Sequence, residues 1–416
     1  MKMLTRLLAL TMALLMCVLP ALAESSPEDM MATVDGSVVT RAEYEDCLFQ
    51  MEDIYSSYGY DVTEETMAAL LRQFALQSAM EYEMLGLVVE RNGLQLTDEE
   101  AADAAQDARE SFYAQIDQIV DQYGMYGLAD VSTEEGRAAV MLEVLAQLEA
   151  AGETETAYIA RAQVYASYDK AFDWIVRDVT VSEEEIRARY DELVDSDRIA
   201  YENDVDAYEA MQNNNQMALA YGMTEYYVDL YYVPAGYRIV THILLEADDT
   251  ALANYTALSA NNAPAEEVAA AKKAVLDSVQ GKVDEINARL AAGESFNALI
   301  PEYTMDPGMM DEASIAKGYE VHAQSTRWVT EFRDAAFTVD SIGDVTEPVV
   351  TNYGVHILYY AADLPSGAVP YTDDVRALLQ EELLNARQSN VYTNAMEDLL
   401  AEAEIVYSDE AQAFMN

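Results

Sequence analysis

Cysteine, histidine and basic residues are all scarce in this 416-residue chain: two Cys, three His, and 23 Lys and Arg against 76 Asp and Glu. Each shortage excludes something. So few thiols and imidazoles, scattered as they are, form no zinc-type ligand cluster. A formal net charge of −53 excludes nucleic acid as a partner, because that binding rests on Lys and Arg neutralising phosphates. The same charge is repelled by anionic lipid and favours solubility in a salty exterior. Long apolar runs are also lacking. The stretch from Leu7 to Leu19 falls short of the ~20 residues that a membrane span needs. No G-x-S-x-G elbow, H-E-x-x-H helix or EF-hand loop occurs, which removes the usual hydrolase and calcium-loop readings.

What is present begins at the N-terminus. Lys2 and Arg6 precede the apolar run, and Ala21-Leu22-Ala23 follows it. A charged n-region, an apolar h-region and a small-x-small site predict a secretory signal cleaved after Ala23, and so an exported protein on the extracellular or envelope side. Cys17 follows Met16 rather than a small residue, which argues against lipid attachment. Cleavage leaves Cys47 alone, so no intrachain disulfide can form. Within its apolar helical pattern, Cys47 reads as a small buried hydrophobe.

Ala32 to Val39 alternates around Asp35-Gly36 and predicts a short hairpin. Met67, Leu70, Leu71 and Phe74 fall at the spacing of one buried helix face, and that helix ends at Asn92-Gly93. Thr97-Asp-Glu-Glu100 and Ser182-Glu-Glu-Glu185 read as capping boxes opening new helices. Tyr201 to Tyr232 is rich in Tyr, Met and Asn. It reads either as ordinary core or as a soft exposed face suited to apolar clients.

The period changes near Tyr231. Tyr237 to Leu245 is a strand, and a polar, Ala-rich stretch follows it. A long helix runs from about Ala265 to Ala292, with shorter helices around Phe296–Ile300 and Phe332–Phe337. Val349-Val350 and Val355–Tyr360 then return as strands. This order predicts an α+β module. The last segment carries the apolar stripe Val375, Leu378, Leu379 and Leu383. Its Glu404–Tyr407 strand is placed to pair with the Ala32–Val39 hairpin, which would make the module an insertion. The chain thus divides into 1–23 (signal), 24–236 (helical), 237–362 (α+β) and 363–416 (helix and strand returning to the N-terminal part).

Two of the three histidines, His242 and His356, each stand before Ile-Leu in strands at opposite ends of the module. If those strands are neighbours, the imidazoles lie side by side and each can fix the other's tautomer. At this point a resemblance becomes specific. Thr241-His-Ile-Leu-Leu245 resembles the first strand of parvulin-type peptidyl-prolyl cis/trans isomerases. Gly293-Glu-Ser-Phe-Asn-Ala-Leu-Ile-Pro-Glu-Tyr-Thr-Met-Asp306 resembles their G-x-x-F-x-x-L-A-x-x-Y-S-x-D segment. Phe332–Phe337, Gly343–Thr351 and Tyr353–Ile357 resemble the closing half, in order and spacing. The flanking segments resemble, more loosely, secreted foldases of the PrsA and SurA type.

The resemblance implies a parvulin-like α+β domain held between helical N- and C-terminal segments that form a chaperone-like domain. It implies a groove with His242, Asp306, Thr351 and His356 as catalytic residues, and Trp328 and Phe332 clamping the substrate proline. It implies no metal or cofactor. Its partners would be unfolded or partly folded exported polypeptides with X–Pro bonds. One departure stands out: Ala316-Lys-Gly-Tyr-Glu-Val-His322 replaces the family's G-G-D-L-G loop. That change supports a second reading, a holdase with a degenerate module. No basic cluster beside His242 suits a phosphate-directed parvulin.

Overall fold

The computed structural model describes residues 29–414; the signal-like segment and its Ala23 boundary lie outside them. Two compact units divide the chain, one formed by residues up to Thr180 with those from Glu382 onward, the other by Val181–Glu381.

The first unit opens with an antiparallel hairpin, β1 (Met30–Val34) and β2 (Ser37–Thr40). Asp35 and Gly36 at its turn have φ of 49° and 90°, the doubly left-handed geometry that matches strand twist. Five helices follow: α1 (Arg41–Ser57), α2 (Glu65–Asn92), α3 (Asp98–Met125), α4 (Glu134–Ala150) and α5 (Glu155–Val176). Thr97 and Glu100 form the expected reciprocal cap at the start of α3, satisfying donors that the helix leaves unpaired. Gly93 closes α2 with φ of 66°.

The buried face of α2 is displaced from the one the sequence suggests. Leu71 is buried, but Leu70 is 38% exposed and the stripe continues through Ala75, Leu76, Ala79 and Met80. The buried side joins Ala75 and Ala79 to Leu76, Met80, Met84 and Leu85, so the apolar stripe runs the length of the helix on a face rotated from Leu70. Cys47 is buried in this core, and burial pushes its thiol up to about 12, as an inert hydrophobe requires.

The second unit begins with α6 (Glu183–Tyr201), capped by Ser182 and Glu185, and α7 (Val205–Ala220). The strands are β3 (Tyr232–Val233), β4 (Tyr237–Leu245), β5 (Tyr319–His322), β6 (Val349–Thr351), β7 (Gly354–Asp363) and β8 (Gly367–Ala368). Between β4 and β5 lie α8 (Asp249–Ala260), α9 (Ala265–Ala291), α10 (Phe296–Tyr303) and α11 (Glu312–Lys317). The short α12 (Thr330–Ala335) precedes β6. Helix α8 occupies the stretch that reads only as polar and Ala-rich; Asp248 caps it by accepting from the Ala251 N–H at 2.9 Å.

The main sheet runs β5-β4-β7-β6, antiparallel throughout, with β5 at an edge. Ile243, Leu245, Val350, Val355 and Ile357 point to one face, against the core built with α9 and α10. Alternation sends the intervening residues to the other face, where α12 covers Val240 and Leu358.

Helix α13 (Asp373–Glu402) leads out of this unit, and β9 (Ile405–Tyr407) and α14 (Asp409–Phe414) complete the first. The pairing expected between the distant segments is formed: β9 lies antiparallel to β1, with Thr33 opposite Val406. Along α13, Leu379 is buried, but Leu378 is 54% exposed, so the expected stripe is narrower than its sequence.

Candidate active site

The α12 face of the sheet carries both histidines. His242 on β4 stands opposite Leu358 on β7, and His356 stands opposite Leu244. The two imidazoles are therefore diagonal neighbours, within reach of each other across the ladder. Their ring centroids are 5.1 Å apart and nearly perpendicular. The Phe332 ring, presented by α12, completes a triangle at 5.1 Å from His242 and 5.2 Å from His356.

Asp306 reaches this triangle from the turn after α10. Its Oδ2 stands 2.8 Å from His242 Nε2, although it lies off the line of a straight N–H bond, since neither His242 nitrogen has a well-aligned partner among the described residues. The same carboxylate accepts from the Gly308 N–H at 2.9 Å and from the Tyr319 hydroxyl at 2.8 Å. Asp306 both opens its turn and faces the site. The neighbouring imidazole and these donors hold its carboxyl well below the usual carboxylate range, against the opposing effect of burial.

His356 is fixed from the other side. Its Nε2 lies 2.9 Å from Thr351 Oγ1, which also accepts from the Tyr353 N–H at 3.0 Å. The threonine oxygen thus ties the imidazole to the backbone of the β6–β7 turn, with the direction of the Thr351–His356 bond set by the imidazole tautomer. Burial, reinforced by the neighbouring His242, lowers the His356 pKa to about 3, so this ring is neutral at physiological pH.

The aromatic side of the site differs from expectation in one respect. Trp328 lies over Phe332 at 5.4 Å, and Tyr319 stacks on Trp328 at 4.8 Å while meeting His242 edge-on at 5.3 Å. Phe332 is consequently only 2% exposed. Trp328 and Tyr319 line an open cavity of about 680 Å³, whereas His242, Phe332, Thr351 and His356 do not. Trp328 is held in place by its indole N–H, which donates to the Glu320 carbonyl at 3.0 Å.

All six residues expected from the sequence converge on one contiguous set. Tyr319 is the member that sequence reading missed. The signal available was an aromatic residue directly after Gly318 in the altered loop, but its partners, Asp306 and Trp328, are distant in sequence. A Cβ added to Gly308 would lie 2.0 Å from the Tyr319 hydroxyl, so the glycine makes room for the contact with Asp306.

Comparison with known proteins bears directly on this arrangement. Residues 242–362 match the rotamase family described as the PPIC-type PPIase domain. This segment is a PPIC-type rotamase domain. Among curated proteins, the chain is 30% identical over 122 residues to the foldase protein PrsA of Caldanaerobacter subterraneus, covering 29% of this chain and 37% of that one. It is 31% identical over 127 residues to foldase protein PrsA 4 of Bacillus cereus, covering 30% of this chain and 42% of the relative. The match thus spans about two fifths of the length of these relatives. A solved structure of the SurA-like chaperones PEB4 and Cj1289 of Campylobacter jejuni aligns over 91% of this chain and 99% of that one, at 10% identity and a TM-score of 0.31. PrsA from Bacillus subtilis aligns over 84% and 92%, at 16% identity and a TM-score of 0.22. At TM-scores this low the likeness carries no argument about fold. In the rotamase domain, the matched region begins at His242 itself and contains every residue of the site.

Proposed function

We propose that this chain is an extracytoplasmic peptidyl-prolyl cis/trans isomerase and folding chaperone, acting on exported polypeptides that contain X–Pro bonds. The observation that carries the reading is the coupled set His242–Asp306 and His356–Thr351 on one face of a rotamase-type sheet, beside an open cavity. The signal-like N-terminus, read as cleaved after Ala23, supports the location.

The chemistry asks little of the protein. Amide resonance sets a barrier of ~18–20 kcal/mol, and the unaided X–Pro step takes tens to hundreds of seconds. No nucleophile or metal is needed. A site that binds the twisted amide better than either planar form gains about tenfold for each ~1.4 kcal/mol of that preference. In this reading Trp328 offers the proline its exposed face and Phe332 supports Trp328 from behind. Asp306 stays ionised and polarises the Tyr319 hydroxyl and His242. Neutral His356, held by Thr351, keeps the floor of the site uncharged, so the developing ketone-like carbonyl meets hydrogen-bonding groups rather than bulk water.

The test is isomerisation of short X–Pro peptides by NMR exchange, with His242→Ala and Phe332→Ala beside the parent chain. A loss of tenfold or more in both variants is expected; parent and variants equal to the uncatalysed rate would overturn the enzyme reading. The depth of Phe332 beneath Trp328 and Tyr319 favours one other reading, a holdase that binds without turnover. In that case peptide exchange stays at the background rate while aggregation of unfolded clients is still suppressed, and Tyr319→Ala does not restore turnover.

A further inference from the structure

Cations are rare in this chain, and most described arginines are held by carboxylates: Arg91 by Asp35, Arg137 by Asp117, Arg289 by Glu294. Lys317 and Arg327 are not. Both are exposed, both line the cavity beside Trp328, and neither has an acidic side chain within ion-pair distance among the described residues. The one carboxylate sharing that lining is Glu320, whose Oε2 is engaged by the Gln212 amide at 3.0 Å.

The remaining surfaces fit one kind of occupant. Tyr319 and Trp328 give the cavity an aromatic floor. Gln212 and Gln216 of α7 give it an amide-bearing wall, suited to the N–H and C=O groups of an extended chain. Strand β5 lies along it as a sheet edge, the element to which extended peptides add. Two unpaired cations at the rim then discriminate by charge, since an uncompensated Lys and Arg attract carboxylates and reject amines.

We infer that this cavity is a subsite for the chain flanking the target proline, and that it selects X–Pro segments carrying Asp or Glu next to that proline. The inference rests on the isomerase reading for the position of the proline, but not on turnover. Much of the protein surface repels an acidic client, so a rim with two uncompensated cations beside the aromatic floor draws an acidic flank toward it. The selection is electrostatic and therefore weakens with salt.

Titration calorimetry with the full chain separates this idea from the isomerase reading. The probes are three peptides that differ only in the flank and the proline: Glu-rich with Pro, Lys-rich with Pro, and Glu-rich with Ala in place of Pro. At low salt the Glu–Pro peptide is expected to bind about fivefold tighter than the Lys–Pro peptide, the size that two exposed ion pairs support. The Lys317→Ser/Arg327→Ser double variant, as well as 0.5 M NaCl, is expected to abolish that preference. The Glu–Ala peptide is expected to bind more weakly than Glu–Pro. Equal binding of the Glu–Pro and Lys–Pro peptides overturns the subsite, as does equal binding of Glu–Pro and Glu–Ala, which would mark an anion site unrelated to proline. Isomerisation without flank preference leaves the enzyme intact and removes the subsite; flank preference without isomerisation does the reverse.

Discussion

A carboxylate and an imidazole in contact usually share a proton economy; here a tyrosine joins them. Tyr319 donates to Asp306, whose same oxygen faces His242 while the Gly308 N–H holds the other. Burial and the adjacent carboxylate push the phenol well above its ordinary value, so it stays a donor at any physiological pH. The neighbouring His356 is held neutral for a different reason, burial without a counter-charge of its own. The lowered pKa values of His356 and Asp306 carry a stability cost in acid. The native state binds fewer protons than the unfolded chain once pH falls below the ordinary histidine value, so stability declines from about pH 6.5 down towards 3, by at most ~1.4 kcal/mol per pH unit for His356. Asp306 adds its own loss below the usual carboxylate range. We expect the thermal midpoint of the second unit, followed by Trp328 fluorescence in a Trp174→Phe background, to fall between pH 7 and 4. The His356→Gln variant should show a flatter dependence; parallel curves would contradict a buried neutral imidazole.

At the scale of elements, the site depends on how β4, β5 and the turn after α11 approach each other. Gly318 has φ of 66°, and a Cβ there would lie 2.7 Å from Ile239 Cγ2 and 3.0 Å from the Val240 carbonyl oxygen. Gly318→Ala should therefore destabilise the second unit by ~1–3 kcal/mol and pull Tyr319 away from Asp306. A melting temperature unchanged from the parent would show that the turn relaxes freely. The helices were legible from the sequence where their signals are local. Thr97 with Glu100 and Ser182 with Glu185 are caps whose partners sit three residues away. The histidine pairing was legible because Ile-Leu follows each histidine, which gives two strands with the same alternation. Helix α8 was not, because most of its apolar side chains are alanines and its cap, Asp248, lacks a Glu or Gln three residues on. The stripe of α2 was misplaced by sequence because two of its inward positions, Ala75 and Ala79, are alanines that carry little hydrophobic weight in a periodicity reading. Tyr319 was invisible for a more general reason: its role comes from neighbours assembled by the sheet, none of them adjacent in the chain.

For the whole molecule, the two units respond to protons in opposite directions. In the first, Asp46 is partly buried, and its Oδ2 has no hydrogen-bond partner among the described residues. Burial raises its pKa to about 7, against the attraction of Arg161. A carboxyl raised above its unfolded value stabilises the fold while protonated, and that contribution is lost as pH rises through about 7. The second unit weakens in acid, as argued from His356. Calorimetry on the full chain should therefore show the first unit's transition moving down between pH 6 and 8.5 while the second holds steady, with Asp46→Asn removing most of that movement. A common shift of both transitions would rule out separate control.

The pairing of β1 with β9 has a consequence in time. Asp35 accepts the backbone N–H of Glu404, 369 positions later, and the strand that borders β1 follows directly. A ribosome delivers these partners at ~5–20 residues per second, so β1 spends tens of seconds with one edge bare. The rotamase segment, lying wholly between them, emerges and can close first. The chain thus completes its middle before its beginning. Until β9 arrives, the first hairpin presents an open edge to any other extended segment nearby, including another nascent copy of itself.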